Sequence, residues 1–242
     1  MPDEEGPNIQ GNSETSTSNN GRYKVIKIAS ADCVLIVDEQ LMKDKYRDIL
    51  GRTIRSIAIS DNGWIVMSFD ATDSSIIRIF DGDLKSVVYR EPWQLDFGAG
   101  LSITPNGRKL AIGSPGENQV YTYDLELETD GSIIRSSRKA IVGPRSEGFG
   151  WKVGLSEMGT SIAIASPSAQ VDFIDVGAIH VFVLIEGEWE VVNTVLYGKG
   201  SILNIGSGGV SVDDTRGIVT VQDSNLIKKS TFMVSPQYLL QH

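Results

Sequence analysis

Nine residues of this 242-residue chain carry side chains from which a ligand site on a loop surface could be built. They are the carboxylates Asp70, Asp73, Asp96, Glu117, Asp172, Asp175 and Asp223 and the indoles Trp93 and Trp151. Paired carboxylates beside an aromatic platform are the chemistry of sugar binding and glycoside cleavage, one acid protonating the leaving oxygen while the other activates water or attacks. No two of these carboxylates recur at a spacing that singles out an acid and a base, and a solvated acidic loop face is the commoner meaning of such a set. Other chemistries lack parts. The two histidines are His180, which alternates within an apolar strand pattern, and the C-terminal His242. A Ser/His/Asp triad or a zinc site needs more than that. The glycine-rich runs 98–100 and 206–209 precede no helix pattern, so no helix N-terminus is on offer for a nucleotide phosphate. The expectation is a protein without catalytic residues, metal or cofactor.

Composition narrows the partners. The chain has 22 Lys+Arg against 31 Asp+Glu, a formal net charge of −9. That acidic balance repels polyphosphate and argues against nucleic acid. No apolar stretch approaches the roughly 18 residues of a membrane span. The first residues, Met1-Pro2-Asp3-Glu4-Glu5-Gly6, have neither the basic nor the apolar part of a signal peptide. Cys33, the single cysteine, lies in the apolar run 33–37 and reads as a small core hydrophobe. These features predict an intracellular protein, or one released within a particle assembled in the cytoplasm.

The elements that must position the loop residues are strands. Residues 1–21 are rich in Ser, Thr, Asn, Gly and Glu and read as a flexible polar tail. From Tyr23 onwards, short Val- and Ile-rich runs alternate with Gly, Asp, Asn and Ser. The segment 39–50 fits either a short helix or a strand pair with a loop. Four segments repeat one pattern of alternating strand, tight polar turn and apolar strand, with turns at Asp61-Asn62-Gly63, Pro105-Asn106-Gly107, Glu157-Met158-Gly159 and Asp213-Asp214-Thr215. The turn glycines are 44 and 52 residues apart, and Gly159 to Thr215 is 56. A period near 40–50 residues with four short strands per unit is the mark of propeller blades. The fold expected is all-β: a small β-propeller of four to five blades, each a four-stranded antiparallel sheet. One domain over 22–242 would hold blades near 50–92, 97–143, 149–198 and 205–242, with N-terminal strands within 22–48.

Phe97-Gly98-Ala99-Gly100, followed by Leu110-Ala111-Ile112-Gly113-Ser114-Pro115 and Val120-Tyr121-Thr122-Tyr123, resembles an FG-GAP repeat of the integrin α-chain propeller type. Phe149-Gly150-Trp151-Lys152-Val153, followed by Ile162-Ala163-Ile164-Ala165-Ser166-Pro167 and 177–182, resembles a second copy. The unit around Asp61-Asn62-Gly63 looks more like a WD-repeat blade. Calcium-bearing FG-GAP blades carry an Asp-x-Asp-x-Asp-Gly loop in the first hairpin. The hairpins here are too short and too poor in oxygen ligands for the six to eight that Ca²⁺ takes. The chain is also smaller than a seven-bladed relative. A five-bladed ring could close if strands near 24–30 and 33–38 joined those from 206–234. The alternatives are a four-bladed ring, or a partial ring completed by a second chain. The propeller fold, the absence of catalytic parts and the polar tail predict a scaffold or protein–protein interaction module that binds through its loops or its tail. It could serve in a homo-oligomer or as a structural component of a larger assembly such as a virus particle. The competing expectation is a carbohydrate-binding or glycosidase-like propeller using the acidic, aromatic loop face.

Overall fold

β-Branched residues fit a pleated, half-buried surface, and the Gly, Asn and Asp clusters between them supply the turns. In the computed structural model the described residues are 14–28, 33–40, 43–48, 54–69, 74–80, 86–92, 96–127, 133–144, 147–197, 209–222 and 229–233, and none of them forms an α-helix. They fold into successive antiparallel meanders. The first sheet comprises β1 (Glu14–Thr17), β2 (Tyr23–Ile28), β3 (Cys33–Asp38) and β4 (Lys43–Asp48). The second holds β5 (Ile54–Ile59), β6 (Ile65–Phe69), β7 (Ser74–Phe80) and β8 (Ser86–Pro92). The third holds β9 (Leu101–Ile103), β10 (Lys109–Ser114), β11 (Gln119–Leu127) and β12 (Ile133–Val142). The fourth is β13 (Lys152–Leu155) and β14 (Ser161–Ser166), then β17 (Ala178–Ile185) and β18 (Glu188–Tyr197). A two-stranded hairpin, β15 (Gln170–Val171) and β16 (Ile174–Asp175), interrupts it. The fifth comprises β19 (Gly209–Asp213), β20 (Ile218–Gln222) and β21 (Lys229–Met233). All-β architecture and the repeating meander are as expected.

Two N-terminal features differ from the sequence reading. Glu14–Thr17 pair with 24–27 as a strand instead of trailing as part of a polar tail. The reason is the turn that follows, where the Tyr23 amide donates to Ser18 Oγ (3.0 Å), the Ser18 amide to the Tyr23 carbonyl (2.9 Å) and the Gly21 amide to the Ser18 carbonyl (3.0 Å). Second, the strands at 23–28 and 33–38 pair with each other and with β4, forming a sheet of their own. They do not add to the strands of the fifth sheet. Residues 43–48 settle the open segment as strand, with Leu35 opposite Tyr46 in the register.

The first strands lie side by side in chain order: β1 against β5, β5 against β9, β9 against β13 and β13 against β19. Where they approach most closely there is no room for a side chain. A Cβ on Gly154 in β13 would stand 2.3 Å from the Val210 carbonyl oxygen of β19. Each sheet-to-sheet gap is filled by its own apolar cluster. Val25 and Ile36 meet Ile65, Met67 and Phe69 between the first two sheets. Ile77 and Ile79 meet Leu110, Tyr121 and Tyr123 in the next gap. Phe149, Ile162 and Ile164 meet Ala111 and Val120 in the third, and Val181 and Val183 meet Val219 and Val221 in the fourth. The second strand of an interior unit is therefore covered on both faces. That is why β6 and β14 are buried at every position and read as continuous apolar runs, not as alternating ones. Burying a side chain of this size contributes roughly 1.5–3 kcal/mol, so the gaps between sheets, more than the ladders, decide how the sheets stack.

Candidate functional site

An antiparallel meander puts its first-to-second turns at one end of the stack. Its second-to-third loops and the connections between sheets fall at the other. The turn end is built from one repeated device. A Ser or Thr closes the first strand, its hydroxyl accepting from the amide that opens the second: Ser18 from Tyr23 (3.0 Å), Ser60 from Trp64 (3.0 Å), Thr104 from Lys109 (3.0 Å) and Ser156 from Ser161 (3.1 Å). Three residues on, a glycine at positive φ donates its amide to the same residue's carbonyl: Gly21, Gly63, Gly107 and Gly159. In the fifth sheet Asp213 takes the place of the hydroxyl residue, accepting from Thr215 Oγ1 (2.7 Å) and the Arg216 amide (3.1 Å). The Thr215 hydrogen bond, against a little burial, holds the Asp213 carboxyl below its usual range.

These turns are knitted to one another. The Asn20 amide donates to Asp61 Oδ1 (2.8 Å), the Asp61 amide to the Pro105 carbonyl (2.8 Å), Asn62 Nδ2 to the Asn106 carbonyl (3.0 Å) and Thr160 Oγ1 to Asp214 Oδ2 (2.7 Å). They surround a cavity of about 470 Å³ lined from all five sheets, by Thr17, Ile59, Ser102, Leu155 and Ser211 among others. A second cavity of about 650 Å³ opens at the same end between the second and third sheets, with Trp64 and Leu125 in its lining and Arg108 and Glu126 exposed around it.

The loop end carries the Phe-Gly connections. Phe97 packs on Tyr121 of β11 (ring centroids 5.9 Å apart), and its counterpart Phe149 packs on His180 of β17 (5.3 Å). The Gly98 amide donates to the Gly113 carbonyl (2.8 Å), and the Gly150 amide to the Ala165 carbonyl (3.1 Å), the equivalent bond one sheet later. His180 is buried in the strand-packing position expected for it. Its Nε2 lies 3.6 Å from Glu147 Oε2. Burial pushes the imidazole down to about 4 and the Glu147 carboxyl up.

Of the described loop-face residues singled out in the sequence, only Asp172 and Asp175 share an element, and the set does not converge on one site. Asp96 is exposed and pairs with Arg55 at 2.5 Å. Glu117 accepts from the Tyr121 hydroxyl at 2.9 Å, and burial together with Glu117 raises that phenol. Arg138 lies 4.2 Å over the same ring. Asp172 and Asp175 come together on the β15–β16 hairpin, where Gln170 Nε2 donates to Asp175 at 2.7 Å. Trp151 is partly exposed, at 39%. Asp70, Asp73, Trp93 and Asp223 lie outside the described residues. Among the described residues no group of three or more His, Cys, Asp or Glu side chains could hold a metal ion, and no helix is long and apolar enough to cross a membrane.

Two features went unread in the sequence. Ser18-Asn19-Asn20-Gly21 is the same turn as Ser60-Asp61-Asn62-Gly63, 42 residues earlier, and that spacing was the available signal. Phe173, at the tip of the β15–β16 hairpin, is 96% exposed. A Phe-Ile pair between two aspartates gives no periodic signal from which a projecting tip could be read.

No protein-family model matches the chain, and no curated protein matches it in sequence. Solved structures do resemble it. Kluyveromyces lactis Hsv2 superposes with a TM-score of 0.65 at 13% identity, over 96% of this chain and 66% of that one. A complex of KlAtg21 with the coiled-coil of AgAtg16 gives 0.64 at 14%, over 91% and 65%. A functionally unknown protein from Desulfotomaculum acetoxidans DSM 771 gives 0.60 at 13%, over 94% and 73%. The chain spans about two thirds of the length of the first two. At such identity the likeness shows the fold, and that fold is the β-propeller.

Proposed function

We propose that the chain is a non-catalytic β-propeller scaffold that meets other proteins through its loop end, as one component of a larger assembly. The five sheets act as five blades, the first being the N-terminal meander, and the third and fourth belong to the FG-GAP-like type. The observation that carries this reading is the dispersal of the described loop-end carboxylates. Asp96 is held by Arg55, Glu117 by Tyr121 and Asp175 by Gln170. A glycosidase needs two carboxyl groups facing one bond across a fixed gap. Acids committed to separate local partners serve a rigid, acidic contact surface instead. A propeller captured in complex with a coiled-coil, as KlAtg21 was, supports protein as the class of partner.

Crosslinking mass spectrometry on the chain in its native assembly tests this. The expected crosslinks to other proteins cluster at Trp151 and the 170–175 hairpin. Stabilisation by a glycan, or turnover of aryl glycosides lost in Asp96→Asn or Asp172→Asn, would contradict it.

A further inference from the structure

The β15–β16 hairpin is a strained element that ends in an exposed aromatic. Gln170 pairs with Asp175 and Val171 with Ile174, leaving Asp172 and Phe173 as a two-residue loop with φ of 51° and 66°. Positive φ at both positions is a type I′ turn, for which Asn-Gly is the favoured sequence. Aspartate tolerates such a φ, but a bulky phenylalanine there is a strained outlier, and strain of this kind is concentrated at functional positions. In return the turn holds Phe173 at 96% exposure, flanked by Val171 at 41% and Ile174 at 48%. The Gln170–Asp175 hydrogen bond at 2.7 Å braces the base. A fixed aromatic with apolar neighbours and an adjacent acid is how an interface anchor is built.

The other end of the same molecule offers a complementary receptor. The cavity of about 650 Å³ between the second and third sheets has Trp64 and Leu125 in its lining. At its edge Arg108 is exposed, and among the described residues no carboxylate pairs with its guanidinium. Asp124 in the lining already has Lys109 (2.5 Å) and the Ser137 hydroxyl (2.5 Å) as partners. Glu126, also exposed there, fixes the orientation, because the acidic hairpin must turn Asp172 towards Arg108 and away from Glu126.

We infer that the Gln170–Asp175 hairpin of one copy docks into the Trp64–Leu125 cavity of a second copy, with Phe173 in the cavity and Asp172 on Arg108. The inference rests on the scaffold reading above and gives that scaffold a self-assembly contact. Hairpin and cavity lie at opposite ends of the sheet stack. The contact is therefore heterologous and head-to-tail, and it generates a closed ring or a filament according to the rotation between copies.

Sedimentation velocity on the full chain over a concentration series tests it. The expected result is a weight-average mass that rises above the 26.3 kDa of one chain. Phe173→Ser alters a solvent-exposed side chain and should leave Tm unchanged while weakening association at least ~10-fold, or ~1.4 kcal/mol. Arg108→Asp alone should have a similar effect, and adding Asp172→Arg should restore association. A wild-type chain that stays monomeric throughout, or association indifferent to Phe173→Ser and to the charge swap, overturns the inference. So does Phe173-dependent binding to phosphatidylcholine vesicles by a chain that remains monomeric. A monomeric result leaves the scaffold reading standing, since that reading does not require the chain to bind a second copy of itself.

Discussion

His180 Nε2 stands 3.6 Å from Glu147 Oε2, the imidazole packs edge-to-face with Phe149, and neither atom has a hydrogen-bond partner among the described protein groups. Glu147 belongs to the connection that brings the chain into the fourth sheet, and its carbonyl accepts from the Ser168 amide at 3.1 Å. The two side chains therefore meet where a loop-end connection passes β17, His180 buried and Glu147 partly buried. Burial alone moves each group, the imidazole down and the carboxyl up.

Acid should loosen the fold through this pair. The imidazole goes from 6.5 to about 4 on burial, so between those values the unfolded chain binds more protons than the folded one. Stability then falls as pH drops through that window, by up to about 3 kcal/mol from the imidazole alone. The raised Glu147 carboxyl acts in the opposite sense, since the folded chain takes up its proton at higher pH than the unfolded one. Urea unfolding across pH 4–7 should show a smaller acid loss in His180→Phe than in wild type and a steeper one in Glu147→Gln. Equal slopes in all three would refute the assignment.

Gly113→Ala should destabilise despite replacing glycine within a strand. A Cβ there would sit 1.8 Å from the Gly150 carbonyl oxygen, a backbone atom that cannot swing aside. The equivalent position in the next sheet is Ala165, so alanine suits the strand itself and the clash comes from the neighbouring Phe-Gly connection. The expected cost is about 1–3 kcal/mol, read as a lower Tm.

The third and fourth sheets are also bound by a side-chain bridge, Trp189 Nε1 donating to Thr122 Oγ1 at 2.9 Å. Trp189→Phe and Thr122→Val should each cost about 0.5–1.5 kcal/mol by denaturant titration. The double variant should cost less than their sum.

Asp172→Asn and Asp175→Asn should each leave stability within about 0.5 kcal/mol, because both side chains are exposed. A drop in Tm of several degrees in either variant would mean that the hairpin is part of the folding core.

The fold was legible in the sequence wherever a turn carried its own chemistry. Asn62-Gly63 and Asn106-Gly107 mark hairpins because a tight turn needs positive φ, and the period between them gave the meander. The first sheet was half lost because Glu14–Thr17 is polar on both faces, so burial gives it no pattern. Only the Ser18–Gly21 turn betrays it. The candidate site was less legible still. Asp96 and Glu117 are acids like any others until Arg55 and Tyr121 are seen beside them. Likewise, the exposure of Phe173 depends on two backbone angles that no composition rule reports for an Asp-Phe pair.

The central claim is that the sheets form one rigid body, joined at the turn end, so that the protein acts as a scaffold. Hydrogen exchange read by NMR at the Asn20 and Asp61 amides tests this most directly, because each is bonded to a neighbouring sheet. The account predicts that both are protected and that the Asp61 amide exchanges together with the amides of β6 and β14, in one cooperative opening. Fast exchange at both turns while the strands stay protected would mean sheets that move independently, and the scaffold reading would fall.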